Sequence, residues 1–283
     1  SGGFPQSKRE VIAGKIQSSG RMGEHYSKKE LGKDMYQFFI EDENAAEDFV
    51  TIEGSDVNHI KNVLRMKPGE KIRVCTRNGQ NYFCSISDIT ESFVRADILE
   101  KEAESTELPC RIYLFQGLPK NDKMEWIIQK TVELGVYEVI PVAMKNCVVK
   151  LDDKKAKSKV MRWQAIAESA AKQSKRSLIP EVKMPMSYKE AVAYAKELDV
   201  KLVPYENEHG MAGTKAAMEQ IKKGESIAVF IGPEGGFAPE EIALVQDEMQ
   251  LISLGKRILR TETAGIAALA ILGYQLESSD MIE

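Results

Sequence analysis

Apolar and polar residues alternate over short stretches in the first part of the chain, from Met35 to about residue 105. A period of two is typical of half-buried strands, and Asn78-Gly79 is a strong short-range signal for a tight hairpin. The pattern therefore predicts a small β-barrel, whose strands include residues 36–40, 71–75, 82–89 and 93–99.

One helical pattern interrupts these strands. Ser55 precedes it as a candidate N-cap, and Pro68-Gly69 ends it. The apolar face of this predicted helix comprises Val57, Ile60, Val63 and Leu64.

Beyond a polar stretch near residue 106, short apolar runs alternate with longer helical patterns. This alternation predicts an α/β domain built on a mostly parallel sheet. Asp122 followed by Glu125 indicates a capping box, and Pro239 suits the first turn of a helix. The predicted strands include residues 112–115, 139–142, 202–205, 227–231 and 251–254.

The length of 283 residues suits two domains, with predicted boundaries at 35–105 and 106–283. Residues 1–34 are polar and are interpreted as a tag or flexible extension. The 43% of hydrophobic residues excludes the disordered and collagen-like classes. Because the chain has no apolar run of eighteen residues and no signal-like start, we expect a cytoplasmic protein without membrane contact.

Metal chemistry is not expected, because the four cysteines lie far apart without a C-x-x-C pair and only three histidines accompany them. Small, buried, reduced side chains in strands are the simpler interpretation. The cysteines are Cys75, Cys84, Cys110 and Cys147.

Charge is unevenly distributed along the chain. The formal net charge of −4 disfavours a protein that coats nucleic acid with its whole surface. Residues 145–176, in contrast, hold ten basic and three acidic residues. Such a run is either a solvated helix face or a nucleic-acid contact, and the run alone leaves both open.

The most informative stretch is Ile231-Gly232-Pro233-Glu234-Gly235-Gly236-Phe237, between a predicted strand and a predicted helix. Loops at this position bind ligands in α/β folds. The stretch matches neither G-x-G-x-x-G nor G-x-x-x-x-G-K-[ST], which argues against dinucleotides and nucleoside triphosphates. Its glycines let the backbone approach a ligand, although a tight structural turn has the same composition.

A second loop, residues 253–264, also follows a strand and leads into an apolar helix rich in small residues. The two loops can share one pocket. Together they resemble the 16S rRNA uridine-N3 methyltransferase family (RsmE) of the SPOUT superfamily, and the resemblance extends from about Met35 to Glu277. Further stretches that resemble the family are 58–66, 122–130, 133–135, 168–176 and Ile179-Pro180.

The resemblance implies a PUA-like β-barrel that contacts RNA, followed by a trefoil-knotted SPOUT α/β domain. It also implies S-adenosylmethionine as the methyl donor, no metal, and a homodimer with its active sites at the subunit interface. The implied cofactor-binding residues are Leu202, Tyr205, Glu206, Ile231, Gly232, Pro233, Glu234, Gly235, Gly236, Leu254, Gly255, Ile258, Leu259, Arg260 and Thr261.

Methylation of uridine N3 requires removal of its proton and stabilisation of charge on the adjacent carbonyl oxygens. Glu262 and Glu234 are the candidate bases, and Arg260 is the candidate charge-stabilising group, because a guanidinium offers forked donors. Glu262 has an alternative, purely structural interpretation: a carboxylate at the start of a helix is stabilised by the positive end of the helix dipole. The sequence leaves both interpretations open.

Basic and polar residues near the substrate are expected to contact RNA phosphates, which position a strand without reading its sequence. His59 is as compatible with helix packing as with an RNA contact. The candidates for RNA binding are Arg65, Lys67, Lys120, Lys123, Arg162, Lys172, Gln173 and Arg176.

The sequence thus predicts an S-adenosylmethionine-dependent enzyme that methylates N3 of one uridine in 16S rRNA of the small ribosomal subunit. Two alternatives use parts of the same pattern. One is a SPOUT methyltransferase that acts on a ribose 2′-hydroxyl or another base, and the other is a non-catalytic ribosome assembly factor.

Overall fold

This computed structural model describes residues 35–102, 105–208 and 210–278. Contacts divide the chain into the units Ser1–Met35 and Tyr36–Glu283, and every element below belongs to the second unit. The predicted extension over residues 1–34 lies outside the described residues.

Five strands form the first region: β1 (Gln37–Ile40), β2 (Phe49–Glu53), β3 (Lys71–Thr76), β4 (Asn81–Ile89) and β5 (Phe93–Glu102). Their order in the sheet is β1-β3-β4-β5-β2. β1 pairs with β3 in parallel and the other pairs are antiparallel. The predicted hairpin is confirmed, and Gly79 has the positive φ, +86°, that such a turn favours. The alternating apolar residues build a core of their own.

The predicted helix of this region is short. α1 (Ser55–Asn58) continues as a π-helical turn over His59–Val63. Val57 and Ile60 are buried as predicted, whereas Val63 is exposed. Ser55 was expected to cap the helix, but Gly54 takes the N-cap position at a φ of +70°, a backbone conformation that glycine adopts without strain.

The second region contains a parallel sheet, as predicted. Its strands are β6 (Arg111–Gly117), β7 (Val136–Ala143), β8 (Glu181–Val182), β9 (Met186–Ser187), β10 (Val200–Pro204), β11 (Ser226–Ile231) and β12 (Gln250–Ile252). The order is β12-β10-β11-β6-β7-β8, and β9 also pairs with β7. The central strands are buried on both faces, which explains their continuous apolar runs.

Helices cover both faces of this sheet: α2 (Lys123–Glu133), α3 (Asp153–Gln173), α4 (Tyr188–Ala195), α5 (Ala212–Glu219), α6 (Pro239–Val245) and α7 (Thr261–Ser278). Residues of α2, α3, α5 and α7 share one core with the sheet, and residues of α4 and α6 share the other. The sheet is therefore the middle layer of three.

The helix starts differ in part from the sequence prediction. Pro239 is the first residue of α6, as predicted. Asp122 and Glu125 form no capping box, because the Asp122 carboxylate lies 3.5 Å from Lys159 Nζ and Glu125 pairs with Arg162 instead. α4 was not predicted, although Ser187 and Glu190 supply a reciprocal capping box at its start.

The four cysteines are free thiols. Burial raises the pKa of Cys75 in β3 and of Cys84 in β4 to about 12, so both stay protonated at neutral pH. Cys110 is buried directly before β6. Cys147 departs from the prediction, because it is only half-buried and lies in the loop after β7.

The end of α3 connects the two regions. Gln37 Nε2 in β1 donates to the carbonyl oxygen of Arg176 at 2.6 Å, and Asn81 Nδ2 in β4 donates to Ser177 Oγ at 2.8 Å. These bonds are buried, so they fix the first region against the region of the parallel sheet.

Arg176 was predicted to contact RNA, and the structure corrects that prediction. Only 3% of the residue is exposed. Its guanidinium donates to the carbonyl oxygens of Val132 and Val136, at 3.1 and 2.6 Å, and pairs with the Glu107 carboxylate. A buried and fully engaged guanidinium has no donor to offer a phosphate, so Arg176 is a structural residue.

Replacing Arg176 with Met should destabilise the protein by about 3 kcal/mol, because the Glu107 carboxylate would stay behind as an unpaired charge. Urea unfolding gives the free energy directly. The matched control is Arg162→Met in α3, which removes an exposed guanidinium from its pair with Glu125 and should cost less than about 1 kcal/mol. Equal losses in the two variants would contradict the structural role of Arg176.

Candidate active site

A cleft of about 610 Å³ opens at the carboxyl ends of β10, β11 and β12. Because parallel strands end at the same edge, the three following loops meet there. The two loops singled out in the sequence therefore share one site, as expected. The predicted cofactor-binding residues that line the cleft are Tyr205, Glu206, Ile231, Gly232, Pro233, Glu234, Gly236, Leu254, Gly255, Ile258, Leu259, Arg260 and Thr261.

Two predicted cofactor residues, Leu202 and Gly235, do not line the cleft. Leu202 is fully buried in the core beneath the sheet, so it shapes the site only through packing. Gly235 faces the loop after β7, where a Cβ on it would lie 3.0 Å from the Cβ of Asn146. Asn146 Nδ2 donates to the carbonyl oxygen of Gly235 at 3.0 Å and holds this turn from outside.

The Thr261 hydroxyl joins the two cleft loops. Thr261 Oγ1 donates to the carbonyl oxygen of Gly232 at 2.6 Å and accepts from Gln116 Nε2 at 2.8 Å. Gln116 is fully buried at the end of β6. Three distant parts of the sequence are thus connected through one buried hydroxyl.

Gly117 allows the glycine-rich loop to lie directly against β6. A Cβ at Gly117 would be 2.7 Å from the backbone nitrogen of Pro233 and 2.8 Å from its Cδ. These atoms cannot yield easily, since they belong to the backbone and to a closed ring. The close approach therefore requires glycine.

Glu241 supports the same loop from α6. Its Oε2 accepts from the Ala238 backbone N–H and its Oε1 from the Lys145 backbone N–H, both at 2.8 Å. Sequence reasoning missed Gln116, Asn146 and Glu241 as supporting residues. Only Glu241 carried a signal, because it lies three residues after Ala238, which precedes the first residue of the predicted helix, Pro239.

Three charged side chains form a cluster at the mouth of the two loops. Lys123 Nζ, at the start of α2, lies 3.2 Å from Glu234 Oε1 and 3.2 Å from Glu262 Oε2. Glu234 Oε1 also accepts from the Lys120 backbone N–H at 3.0 Å. Lys123 and Glu234 line the cleft, whereas Glu262 reaches it only through Lys123.

These contacts shift the pKa values of the cluster. The hydrogen bonds to Glu262 and then to Glu234 raise the pKa of Lys123, which stays an ammonium. Burial alone would raise the pKa of Glu234, but the Lys120 backbone N–H and the Lys123 ammonium outweigh it and hold the pKa below its ordinary value. At neutral pH Lys123 is therefore an ammonium and Glu234 a carboxylate.

The structure separates the two candidate bases. Glu234 faces the cleft, where a substrate can reach it. Glu262 lies in the first turn of α7, with 19% of its side chain exposed, and its Oε2 faces Lys123. This placement favours the helix-start interpretation of Glu262 over its role as a base.

Arg260 lies at the N-terminus of α7, where its carbonyl oxygen accepts from the backbone N–H groups of Thr263 and Ala264 at 2.9 and 2.8 Å. Its side chain is exposed and lines the cleft. Within the described residues it forms no ion pair, so its guanidinium can meet a ligand in the cleft.

The predicted RNA contacts fall into two groups. Arg65, Lys67, Lys120 and Gln173 are exposed, and Arg162 is exposed although paired with Glu125. Lys123 belongs to the cleft cluster, Arg176 is buried, and Lys172 pairs with Asp56 and Glu168. His59 is exposed in the π-helical turn and does not pack in the core.

Within residues 35–102, 105–208 and 210–278, no group of three His, Cys, Asp or Glu side chains is arranged to hold a metal ion. None of the helices in that part of the chain is both long and apolar enough to cross a membrane.

Comparison with protein families defines the class. The model of the RNA methyltransferase domain matches residues 106–273, and the model of the RNA methyltransferase PUA domain matches residues 52–99. The parallel sheet with its paired loops is thus the core of an RNA methyltransferase, preceded by a PUA-like domain.

Individual relatives identify the family. Ribosomal RNA small subunit methyltransferase E of Bacillus subtilis is 39% identical over 231 residues, which cover 80% of this chain and 90% of the relative. The crystal structure of the enzyme of that name from Neisseria gonorrhoeae, bound to S-adenosyl methionine, matches with a TM-score of 0.73 at 32% identity, covering 84% and 96% of the two chains. The chain belongs to the ribosomal RNA small subunit methyltransferase E family.

Gly117→Ala should destabilise the protein by about 1–3 kcal/mol, because the added methyl group would overpack the contact with Pro233. Thermal or urea unfolding measures the loss. Gly213→Ala is the matched control, since a Cβ there meets no atom within 4 Å and lies in α5. Unchanged stability of the Gly117 variant would mean that the loop does not need this close approach.

Proposed function

We propose that this protein transfers a methyl group from S-adenosylmethionine to N3 of one uridine in 16S rRNA of the small ribosomal subunit. The observation that carries the proposal is the convergence of Glu234, Lys123 and Arg260 on one glycine-lined cleft in a chain of this family. A small-subunit rRNA substrate places the reaction in the cytoplasm.

The residues of the cleft fit the donor. Its volume of about 610 Å³ is in the range of cofactor pockets, about 300–1,000 Å³. Gly232 and Gly236 fold tightly, since a Cβ at Gly232 would lie 3.2 Å from the carbonyl carbon of Gly236, and they expose backbone amides and carbonyls to a ligand. Leu254 and Leu259 add apolar walls. When bound, S-adenosylmethionine supplies an electrophilic methyl group on a positively charged sulfur.

Glu234 is the proposed proton acceptor. Uridine N3 carries a proton at neutral pH, and a nitrogen with a free electron pair forms only when that proton leaves. The lowered pKa keeps the Glu234 carboxylate ionised at neutral pH but also makes it a weak base, so it takes the N3 proton only as the methyl group is transferred. Lys120 N–H fixes Oε1 of this carboxylate, and the other oxygen can face the substrate.

Arg260 is the proposed group that stabilises charge on the uracil carbonyl oxygens. Loss of the N3 proton spreads negative charge onto both neighbouring oxygens, and a guanidinium offers planar, forked donors to such an edge. Its backbone position at the start of α7 is fixed by the adjacent Thr261 hydrogen bonds.

RNA is proposed to lie across the PUA-like domain and the rim of the cleft. With the proposed domains at residues 35–105 and 106–283, Arg65 and Lys67 belong to the first domain and Lys120 and Arg162 to the second. Exposed cations of this kind contact phosphates and position the strand. The exposed Gln173 lies at the junction between the domains, whereas the ammonium of Lys172 is already paired with Asp56 and Glu168. The target base itself must leave its stack to enter the cleft.

A trefoil knot is proposed for the last part of the chain. β12 adds to the outer side of β10, yet α7 returns to pack against α2 and bonds through Thr261 to Gln116 in β6. This return path across the sheet supports a threaded chain, although threading departs from the usual rule for folds.

A homodimer is also proposed. Two large apolar side chains, Ile258 in the second cleft loop and Tyr274 in α7, are 86% and 75% exposed. Large apolar side chains that one subunit leaves in solvent are typical of a protein interface. The second subunit would then cover the entrance of the cleft.

The proposal is tested by incubating the protein with methyl-labelled S-adenosylmethionine and either naked 16S rRNA or small subunits that lack the modification. Nuclease digestion and chromatography then identify the labelled nucleoside. We expect 3-methyluridine from a single position. Label in a 2′-O-methylated nucleoside or another base would replace the proposal with the second enzyme class, and binding of the donor without any transfer would favour an assembly factor.

Arg260→Ala should lower kcat by about 10²–10³, because a donor that stabilises developing charge is lost. Its Kd for S-adenosylmethionine, measured by calorimetry, should change little. The matched control is Arg111→Ala, at the opposite end of β6, which should keep full activity. Equal losses in kcat and in donor affinity would contradict the assigned role.

A further inference from the structure

Glu234 is the proposed proton acceptor and Arg260 the proposed charge-stabilising group. Lys123 has no assigned role so far, although its side chain also lines the cleft. Its ammonium is held from two directions, by Glu234 on the loop after β11 and by Glu262 on the first turn of α7. Both distances are 3.2 Å. The ammonium is therefore fixed where the two cleft loops meet.

The donors of this ammonium are not exhausted by its partners. Lysine carries three N–H donors and no acceptor. Glu234 and Glu262 are ion-pair partners at 3.2 Å each, so at most two donors are directed at them and one remains for an acceptor on the cleft side. Because Glu262 and Glu234 raise the pKa of Lys123, all three protons are present at neutral pH.

The surroundings favour a base over a phosphate as the third partner. A phosphate anion at this place would be repelled by the carboxylates of Glu234 and Glu262, which offset the positive charge of Lys123. A uracil carbonyl oxygen is neutral on arrival and gains charge only when the N3 proton leaves. A directed N–H donor is most useful for charge that develops during the reaction.

We propose that Lys123 is a catalytic residue that donates its remaining N–H to a uracil carbonyl oxygen next to N3, and that Glu262 is the positioning residue that holds it there. This assignment rests on the proposed uridine-N3 reaction. It replaces the phosphate contact expected for Lys123.

The bond changes balance without loss of a proton from Lys123. The N3 proton passes to the Glu234 carboxylate, and the N3 electron pair forms the bond to the methyl carbon. The carbon–sulfur bond of the donor breaks, and its electron pair stays on sulfur. Lys123 and Arg260 stabilise the charge on the two oxygens that flank N3 while the proton moves.

Several other charged side chains lie near this part of the cleft. None of them is replaced in the variants described below. Asp122 and Lys120 neighbour Lys123 on its own segment, and Asp122 pairs with Lys159. The remaining charged side chains that line the cleft are Glu206, Glu208, Lys256, Arg257 and Arg260.

The test compares Lys123→Met with the wild type on two RNAs, one with uridine and one with 5-fluorouridine. Fluorine withdraws electrons and makes the N3 proton more acidic, so less charge stabilisation is required. We expect Lys123→Met to lower kcat about 10²-fold on uridine and clearly less on 5-fluorouridine. Its remaining activity on uridine should also rise with pH beyond that of the wild type, because hydroxide helps to ionise N3.

Three variants complete the experiment. Lys123→Arg keeps a cationic donor and should recover part of the lost kcat. Glu262→Gln keeps Lys123 but loosens it, and should give a smaller loss with the same preference for 5-fluorouridine. Lys130→Met is the matched control on α2, where Lys130 pairs with Glu133 away from the cleft, and it should match the wild type.

Measurements of donor binding and of unfolding separate a catalytic role of Lys123 from a loss of affinity or stability. The Kd of Lys123→Met for S-adenosylmethionine and its unfolding midpoint should stay close to those of Lys130→Met. An equal loss on both RNAs, or a loss of donor affinity that accounts for the whole effect, would overturn the catalytic role of Lys123. A wild type that forms no 3-methyluridine would instead contradict the proposed uridine-N3 reaction, so the two failures can be told apart.

Discussion

The buried hydroxyl of Thr261 is the contact on which the rest of the site depends. It donates to Gly232 and accepts from Gln116, so it joins the glycine-rich loop, the last helix and the central strand of the sheet. Arg260 and Glu262 flank Thr261 in the sequence, and Glu234 follows Gly232 by two residues. The positions of the charged groups therefore follow from one pair of hydrogen bonds. Because the hydroxyl is buried, each bond would leave an unsatisfied polar atom if broken, which makes the arrangement rigid.

Much of the fold could be predicted from the sequence, and the reasons are local. Continuous apolar runs and period-two alternation revealed most strands of both regions, although β2 and the two-residue strands β8 and β9 were not predicted. Asn78-Gly79 fixed a hairpin through backbone conformation alone. The two cleft loops were found because each follows a strand of a parallel sheet. What local patterns could not give is the partner of a side chain. Asp122 and Glu125 have the spacing of a capping box, yet each pairs with a cation of α3, some forty residues away.

The basic stretch near the end of α3 is a second case in which the sequence pattern did not reveal the partners of the side chains. Its charge favoured an RNA contact, but Arg176 is buried against Glu107 and two carbonyl oxygens, and Lys172 pairs with Asp56. Composition reports how many charges a segment carries and not which of them are already neutralised. Lys123 is the opposite case, since its assignment as a phosphate contact gave way to the cleft cluster once its two carboxylate partners were known.

The hydrogen bond between Gln116 and Thr261 joins residues far apart in the sequence, which affects the order of folding during synthesis on the ribosome. The two residues are 145 positions apart. During synthesis the PUA-like domain and most of the sheet leave the ribosome before Thr261 is added, and they can fold in that order. The nascent chain would thus carry an ordered PUA-like domain while its cleft still lacks one wall. The cleft is complete only when the last helix docks.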